Sequence, residues 1–177
     1  MPATNSLRRS APVVAALACL VAVGPAPAWA APADATTATA ATTCEHACIL
    51  NARTGAHPDF DRLVFDLTDG GLPPTVRADV SPGGSYSPGA TGEIRKLLIT
   101  GMSYLLLDMS PADARSTGPD AYTTPTVQSV SLPSLKGIQM TGSYEGHTTF
   151  GLSLGDYSQY KAFTLAAPNR VVIDVYH

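Results

Sequence analysis

The sequence predicts an all-β protein, an antiparallel β-sandwich of short strands with at most one short helix. Three observations predict it. Runs of β-branched and aromatic residues with period-two alternation recur from residue 44 to residue 177. Clusters of Gly, Pro, Asp and Ser separate those runs, and Gly and Pro number 15 each in 177 residues without a collagen period. Charged residues make up only 14% of the chain, too few for a coiled coil, a long-helix bundle or a charge-rich disordered segment.

The first thirty residues read as an address. Residues 1–10 carry Arg8 and Arg9 and no acid, an apolar run follows over 11–23, and Ala28-Trp29-Ala30 closes the segment. A basic start, a short apolar stretch and an A-x-A site predict a cleavable secretory signal over 1–30, cut after Ala30. The apolar run is too short for a membrane span, which takes ~20 such residues. Cys19 lies inside the apolar run instead of ending it, against a lipid anchor. The Arg8-Arg9 pair lacks the flanking residues of a twin-arginine signal, so general export is expected. Residues 31–43 read APADATTATAATT and predict a flexible linker, with one sandwich domain over 44–177.

Without the signal the chain keeps nine basic and fourteen acidic residues, net -5, so it has no electrostatic footprint for nucleic acid. Only Cys44 and Cys48 remain, an even count in an oxidising compartment, which favours a disulfide between them. Cys44-Glu45-His46-Ala47-Cys48 also places three soft ligands within five residues. A zinc site would need a fourth ligand, usually from a second cluster, and the sequence shows none.

Strands are predicted at 49–54, 62–67, 75–80, 95–100, 127–132, 138–143, 148–154, 161–165 and 170–176. Ser110, Pro111 and Asp113 suit the first turn of a short helix over 111–115. Two segments repeat one another: Asp61-Arg62-Leu63-Val64-Phe65-Asp66-Leu67 matches Asn169-Arg170-Val171-Val172-Ile173-Asp174-Val175 position by position. Paired antiparallel with Val64 opposite Val172, Arg62 faces Asp174 and Asp66 faces Arg170, giving two structural ion pairs. Parallel pairing would set Arg against Arg. Leu63, Phe65, Leu67, Val171, Ile173 and Val175 then form the core face.

These residues carry a resemblance. His57-Pro58-Asp59-Phe60 with 61–67, then Leu97-Leu98-Ile99-Thr100-Gly101, Gly142-Ser143-Tyr144-Glu145-Gly146, Phe150-Gly151-Leu152 and Phe163-Thr164-Leu165 with 168–175, together resemble the AMIN-like domain of secreted bacterial proteins, common in high-GC Gram-positives. The resemblance implies a relative of the AMIN domain, a β-sandwich that localises amidases and secretins in the cell envelope through peptidoglycan or its partners. No catalytic domain follows His177, so it implies a targeting or binding module. The Cys44 and Cys48 extension and the Tyr104-Leu105-Leu106-Leu107 run depart from that pattern.

Chemistry is sparse. Gly151-Leu152-Ser153-Leu154-Gly155 matches a nucleophile elbow, but Phe150, Leu152 and Leu154 alternate as a strand, and the elbow needs a parallel sheet and a following helix. His57 with Asp61, or Asp66 with Asp174, could serve as acid-base pairs, and the matching arginines favour structural roles for Asp66 and Asp174. No catalytic residue, metal or cofactor is expected. Tyr86, Tyr104, Tyr122, Tyr157 and Tyr160 are the candidate ligand-binding residues, since Tyr joins a flat apolar face to a polar tip; the alternative is that they cover sheet edges. The leading function is an exported, non-catalytic cell-envelope module that binds cell-wall glycan or a wall-associated protein. The alternatives are an interaction or sensor domain without glycan affinity, and a hydrolase using Asp66 or Asp174. Export is expected to yield a protein that begins at Ala31 and lacks Trp29; intact-mass measurement of the secreted form decides it, and retained Trp29 or a lipid on Cys19 overturns it.

Overall fold

The structure, a computed structural model, describes residues 43–69, 72–89, 92–115 and 121–177. The predicted signal over 1–30 and residues 31–42 of the predicted linker lie outside the described residues. The strands are β1 (Ala47–Ala56), β2 (Phe60–Leu67), β3 (Thr75–Val80), β4 (Ser85–Tyr86), β5 (Arg95–Lys96), β6 (Ser103–Ser110), β7 (Ala112–Asp113), β8 (Val127–Ser129), β9 (Leu135–Tyr144), β10 (His147–Leu154), β11 (Gln159–Leu165) and β12 (Arg170–Tyr176). One sheet runs β11-β12-β2-β1-β7 and the other β3-β6-β10-β9-β8, with β4 and β5 forming a separate ribbon. All pairings are antiparallel except β1 with β7. The predicted all-β sandwich is therefore what the chain forms. Among the described residues no helix is long and apolar enough to cross a membrane.

Period-two alternation puts one side of every long strand into the core. Leu63, Phe65, Leu67, Val171, Ile173 and Val175 from the first sheet meet Leu105, Leu107, Phe150, Leu152 and Leu154 from the second, all buried. The Phe65 and Phe150 rings lie 4.5 Å apart, tilted at 45°, within the favourable range for aromatic pairs.

The repeated segments are neighbours. β12 pairs antiparallel with β2, with Val172 opposite Val64, Asp174 opposite Arg62 and Arg170 opposite Asp66. Arg62 donates through Nε and Nη2 to the two carboxylate oxygens of Asp174, each at 2.7 Å. The second expected pair does not form. Asp66 instead accepts from Arg53 Nε and Nη2 at 2.8 and 3.1 Å, while Arg170 Nε turns to the Pro168 carbonyl at 3.4 Å. Arg53 lies on β1, diagonal to Asp66 on the same face, so its long side chain can present its fork to the carboxylate.

Two further corrections concern the middle of the chain. No helix forms over 111–115: after a cis Ser110–Pro111 bond, Ala112 and Asp113 form β7 alongside Ala47 and Cys48. Asp113 accepts from the His46 amide at 3.0 Å and lies 3.1 Å from its ring Nδ1, so long-range pairing overrides the local cap. The predicted strand at 95–100 shrinks to Arg95–Lys96, and the central strand of that region is β6, outside every predicted strand.

Between the sheets, Asp61 is fully buried on the core side of β2. Its Oδ2 accepts from the Ser134 amide at 2.6 Å and the Leu135 amide at 2.9 Å, at the start of β9 in the opposite sheet. Asp61→Ala is expected to cost roughly 2–5 kcal/mol, because it strands two buried N–H groups, and Asp61→Asn less, because it keeps an acceptor. Urea unfolding at unchanged m value reads the loss, and an Asp61→Ala midpoint close to wild type overturns this role.

Candidate functional site

The outer face of the second sheet is half covered. Segments 81–89 and 92–102 pass over it as a strap, and the sheet has been cleared to receive them. Leu97 lies on Gly151, where any Cβ would overlap its side chain, and a Cβ at Gly137 would come within 2.9 Å of Ile99. Gly101 sits against the Leu154 backbone, and Leu98 N donates to Gln139 Oε1 at 2.6 Å. The Gly-x-Ser-x-Gly pattern is explained here: Gly151 admits Leu97, Ser153 is fully buried, and a Cβ at Gly155 would meet the Pro133 carbonyl at 2.6 Å. It is a packing pattern, not an elbow.

Where the strap ends, the sheet opens into a polar groove. A cleft of about 250 Å³ lies between residues 87–89 and the β9–β10 hairpin, lined in part by Asp108, Tyr144, Glu145, His147 and Thr149. A smaller cleft of about 110 Å³ adjoins it through Ser87, Asp108 and Thr149, and adds Asp79, Tyr86 and Thr141. Strand register assembles these side chains. Thr149 faces Asp108, Asp108 faces Arg77, and Tyr144 faces His147, so residues from four strands share one face. The hairpin turns at Glu145 and Gly146, both with positive φ (49° and 73°), a conformation Gly adopts without strain.

His147 organises the groove. Its Nδ1 lies 3.1 and 3.2 Å from the two Asp108 oxygens, and its Nε2 lies 3.5 Å from Ser110 Oγ. A carboxylate can only accept, so Nδ1 carries a proton toward Asp108 and Nε2 is the ring nitrogen turned toward Ser110. Tyr144 is 67% exposed, and a hydrogen bond to Glu145 holds its hydroxyl above the usual phenol range. The three lining acids are Asp79, Asp108 and Glu145, and neither cleft is lined by Lys or Arg. The groove suits a neutral or cationic polyol or amide: a tyrosine plate for an apolar ring face, with carboxylates and hydroxyls to accept and donate around it.

Of the expected tyrosines, the structure brings only Tyr86 to the groove. Tyr122 is buried, with its ring 5.4 Å from Phe150. Tyr104 packs against Gly84 (φ +66°), and its hydroxyl accepts from Gly101 N at 3.3 Å. Tyr157 packs on the core, and Tyr160 lies on the inner side of β11 with its hydroxyl donating to the Ala78 carbonyl at 3.1 Å. Four of the five are therefore packing residues. Tyr144 and His147 were missed as site residues, although the Glu145-Gly146 pair marks the hairpin that places them. Cys44 and Cys48 are joined by a disulfide. Between them His46 faces Asp113, and among the described residues no group of three metal-ligating side chains gathers. His57 and Asp61 do not pair: His57 stacks on Phe60 at 4.4 Å, while Asp61 faces the core.

The fold is thus a β-sandwich with one strapped face and an open polar groove. The chain matches the AMIN-like domain over residues 47–177, from the first residue of β1 onward, and it belongs to that family. Membership points to a cell-envelope associated module. No curated protein matches the chain significantly.

Burial pushes the Tyr122 hydroxyl up to about 12, with a hydrogen bond to Thr124 pulling the other way. An unfolded tyrosine titrates near 10. Its contribution to stability is thus complete below about pH 10 and falls as pH rises toward 12. Tyr122→Phe is expected to flatten that alkaline decline in denaturant midpoints, and an unchanged slope refutes it.

Proposed function

We propose that the protein is an exported, non-catalytic module of the cell envelope that binds cell-wall glycan in the groove beside Tyr144. The observation that carries this reading is the groove itself, where the exposed Tyr144 ring stands next to His147, Asp108 and Glu145 without a neighbouring Lys or Arg in the lining. Sugar rings are bound by this combination of a flat aromatic plate and planar polar groups. Membership of the AMIN-like family and the secretory pattern of the first thirty residues support the location.

A wall-associated protein is the second reading, favoured by the strap. Ile94, Leu98 and Met102 are 75–79% exposed there, apolar side chains suited to a protein contact. Hydrolysis has a single observation behind it, the order Asp108, His147, Ser110, which is that of an acyl-transfer triad with a long final spacing. Asp66 and Asp174 are each committed to an arginine and carry no such reading.

Sedimentation with purified, protein-free cell wall separates the three. The glycan reading expects the protein in the pellet, with affinity falling about tenfold in Tyr144→Ala and unchanged in Leu98→Asp. Pelleting only with protein-bearing wall, lost in Leu98→Asp, replaces it with the protein partner. Release of wall fragments that stops in Ser110→Ala establishes hydrolysis.

A further inference from the structure

The opposite face of the sandwich carries a second site. On the outer side of the first sheet, Gly55 of β1 stands directly across from Arg62 of β2, and Arg53 lies across from Val64 on the same face. A Cβ placed on Gly55 meets no atom within 4 Å, so the missing side chain leaves a gap beside the Arg62 guanidinium. That gap is a pocket of about 100 Å³ lined by Arg53, Thr54, Gly55, His57, Arg62 and Val64. Its lining brings two arginines and an imidazole, and no acid; Thr54, opposite core-facing Leu63, contributes backbone only.

The two arginines are held in place from behind. Asp66 engages Nε and Nη2 of Arg53, and Asp174 engages Nε and Nη2 of Arg62. Each guanidinium has five N–H donors, so the two N–H groups of each Nη1 lie outside these pairs. The Arg62 plane is further fixed by the Phe60 ring, 5.0 Å away. His57 stacks on that same ring at 4.4 Å, with its amide donating to the Phe60 carbonyl at 2.8 Å. Lys161 and Arg170 occupy the same outer face, opposite Asp174 and Asp66. Four cations thus face two carboxylates on this side of a chain whose net charge is -3. Pre-positioned guanidinium forks around a small gap recognise oxyanions, and a volume of this size takes a tetrahedral oxyanion.

The geometry points to a phosphate-binding site at Arg53, Arg62 and His57, taking a phosphate group as monoester or diester. It lies on the face away from the groove and stands independently of the glycan reading. Two sources carry this chemistry, free phosphate and a phosphodiester polymer, and the test distinguishes them. The Arg Nε–Hε resonances of the full chain are followed during titration with inorganic phosphate, with a glycerol phosphate oligomer, and with sulfate at constant ionic strength. The Arg53 and Arg62 signals are expected to shift with phosphate and, for a polymer ligand, to saturate at least about tenfold earlier with the oligomer. An oligomer no better than phosphate assigns free phosphate as the ligand. Gly55→Glu fills the open gap with a carboxylate, and Arg53→Gln removes one fork from an exposed position. Each is expected to weaken binding about tenfold while leaving the thermal midpoint in place. Should Gly55→Glu disturb the fold, Arg53→Gln alone decides. The proposal fails if neither arginine signal moves up to roughly 50 mM phosphate, if sulfate acts equally, or if Arg53→Gln binds as well as wild type.

Discussion

Asp61 is the carboxylate on which the packing of this sandwich turns. Two sheets with apolar inner faces attract one another without direction, because apolar burial rewards area and is indifferent to register. A buried carboxylate accepting two amides from the facing sheet does have direction: any slip strands a charge and two N–H groups in a dry interior. The contact also propagates. Ser134, whose amide meets Asp61, donates its hydroxyl to the Asp156 carbonyl and accepts from Gly155 N through its own carbonyl. One residue of β2 thereby sets the start of β9 and the end of β10, and with them the far face of the second sheet.

That far face is divided by side-chain size. Where Gly137, Gly151 and Ser153 leave room, the strap lies flat and Leu97 and Ile99 fill the space. Where the outward residues are Thr149, Asp108, His147 and Tyr144, residues 86–89 of the strap wall a cleft over them instead of filling it. The groove is thus the remainder of a packing decision. One wall is fixed by paired strands, which carry Asp108, Tyr144, His147 and Thr149, while Ser87, Gly89 and Glu145 come from the segments between strands. The first sheet is organised differently: among the described residues no strap crosses it, and Arg62 lies between the Phe60 and Phe163 rings beside Asp174. Its outer face is therefore basic and shallow, whereas the second sheet's is acidic and cleft.

Symmetry in the sequence becomes asymmetry in space. The repeated segments pair in the register their charges require, yet only Arg62 and Asp174 meet as drawn. Asn169 occupies the repeat position of Asp61, and it serves the turn into β12, donating from Nδ2 to the Thr68 carbonyl. Asp66, equivalent to Asp174, takes an arginine from β1, whereas β11, the corresponding neighbour of β12, sets Lys161 opposite Asp174. A repeat at the level of residues specifies a strand and its face. It does not specify the third strand alongside.

What the sequence by itself determined were the properties that depend on near neighbours. Alternation set the all-β class and the core faces of β2 and β12, and the charge order Arg-Val-Val-Ile-Asp set the antiparallel register of that pair. Local patterns failed wherever a distant segment completed the environment. β6 escaped notice because Leu106 breaks its alternation; it points outward, where it lines the smaller cleft together with Tyr86 of the strap. The capping signals at Ser110 and Pro111 lost to pairing with β1, some 65 residues earlier. Four tyrosines that read as loop residues found burial or a backbone partner, while Tyr144 stayed exposed on a strand end. Both candidate sites lie on this second side of the division. A pocket is a relation between residues far apart in the chain: Asp108 with His147 in one case, Arg53 with Arg62 across Gly55 in the other. Tertiary structure decided which of many polar residues would share a face, because strand register brings them within hydrogen-bonding distance.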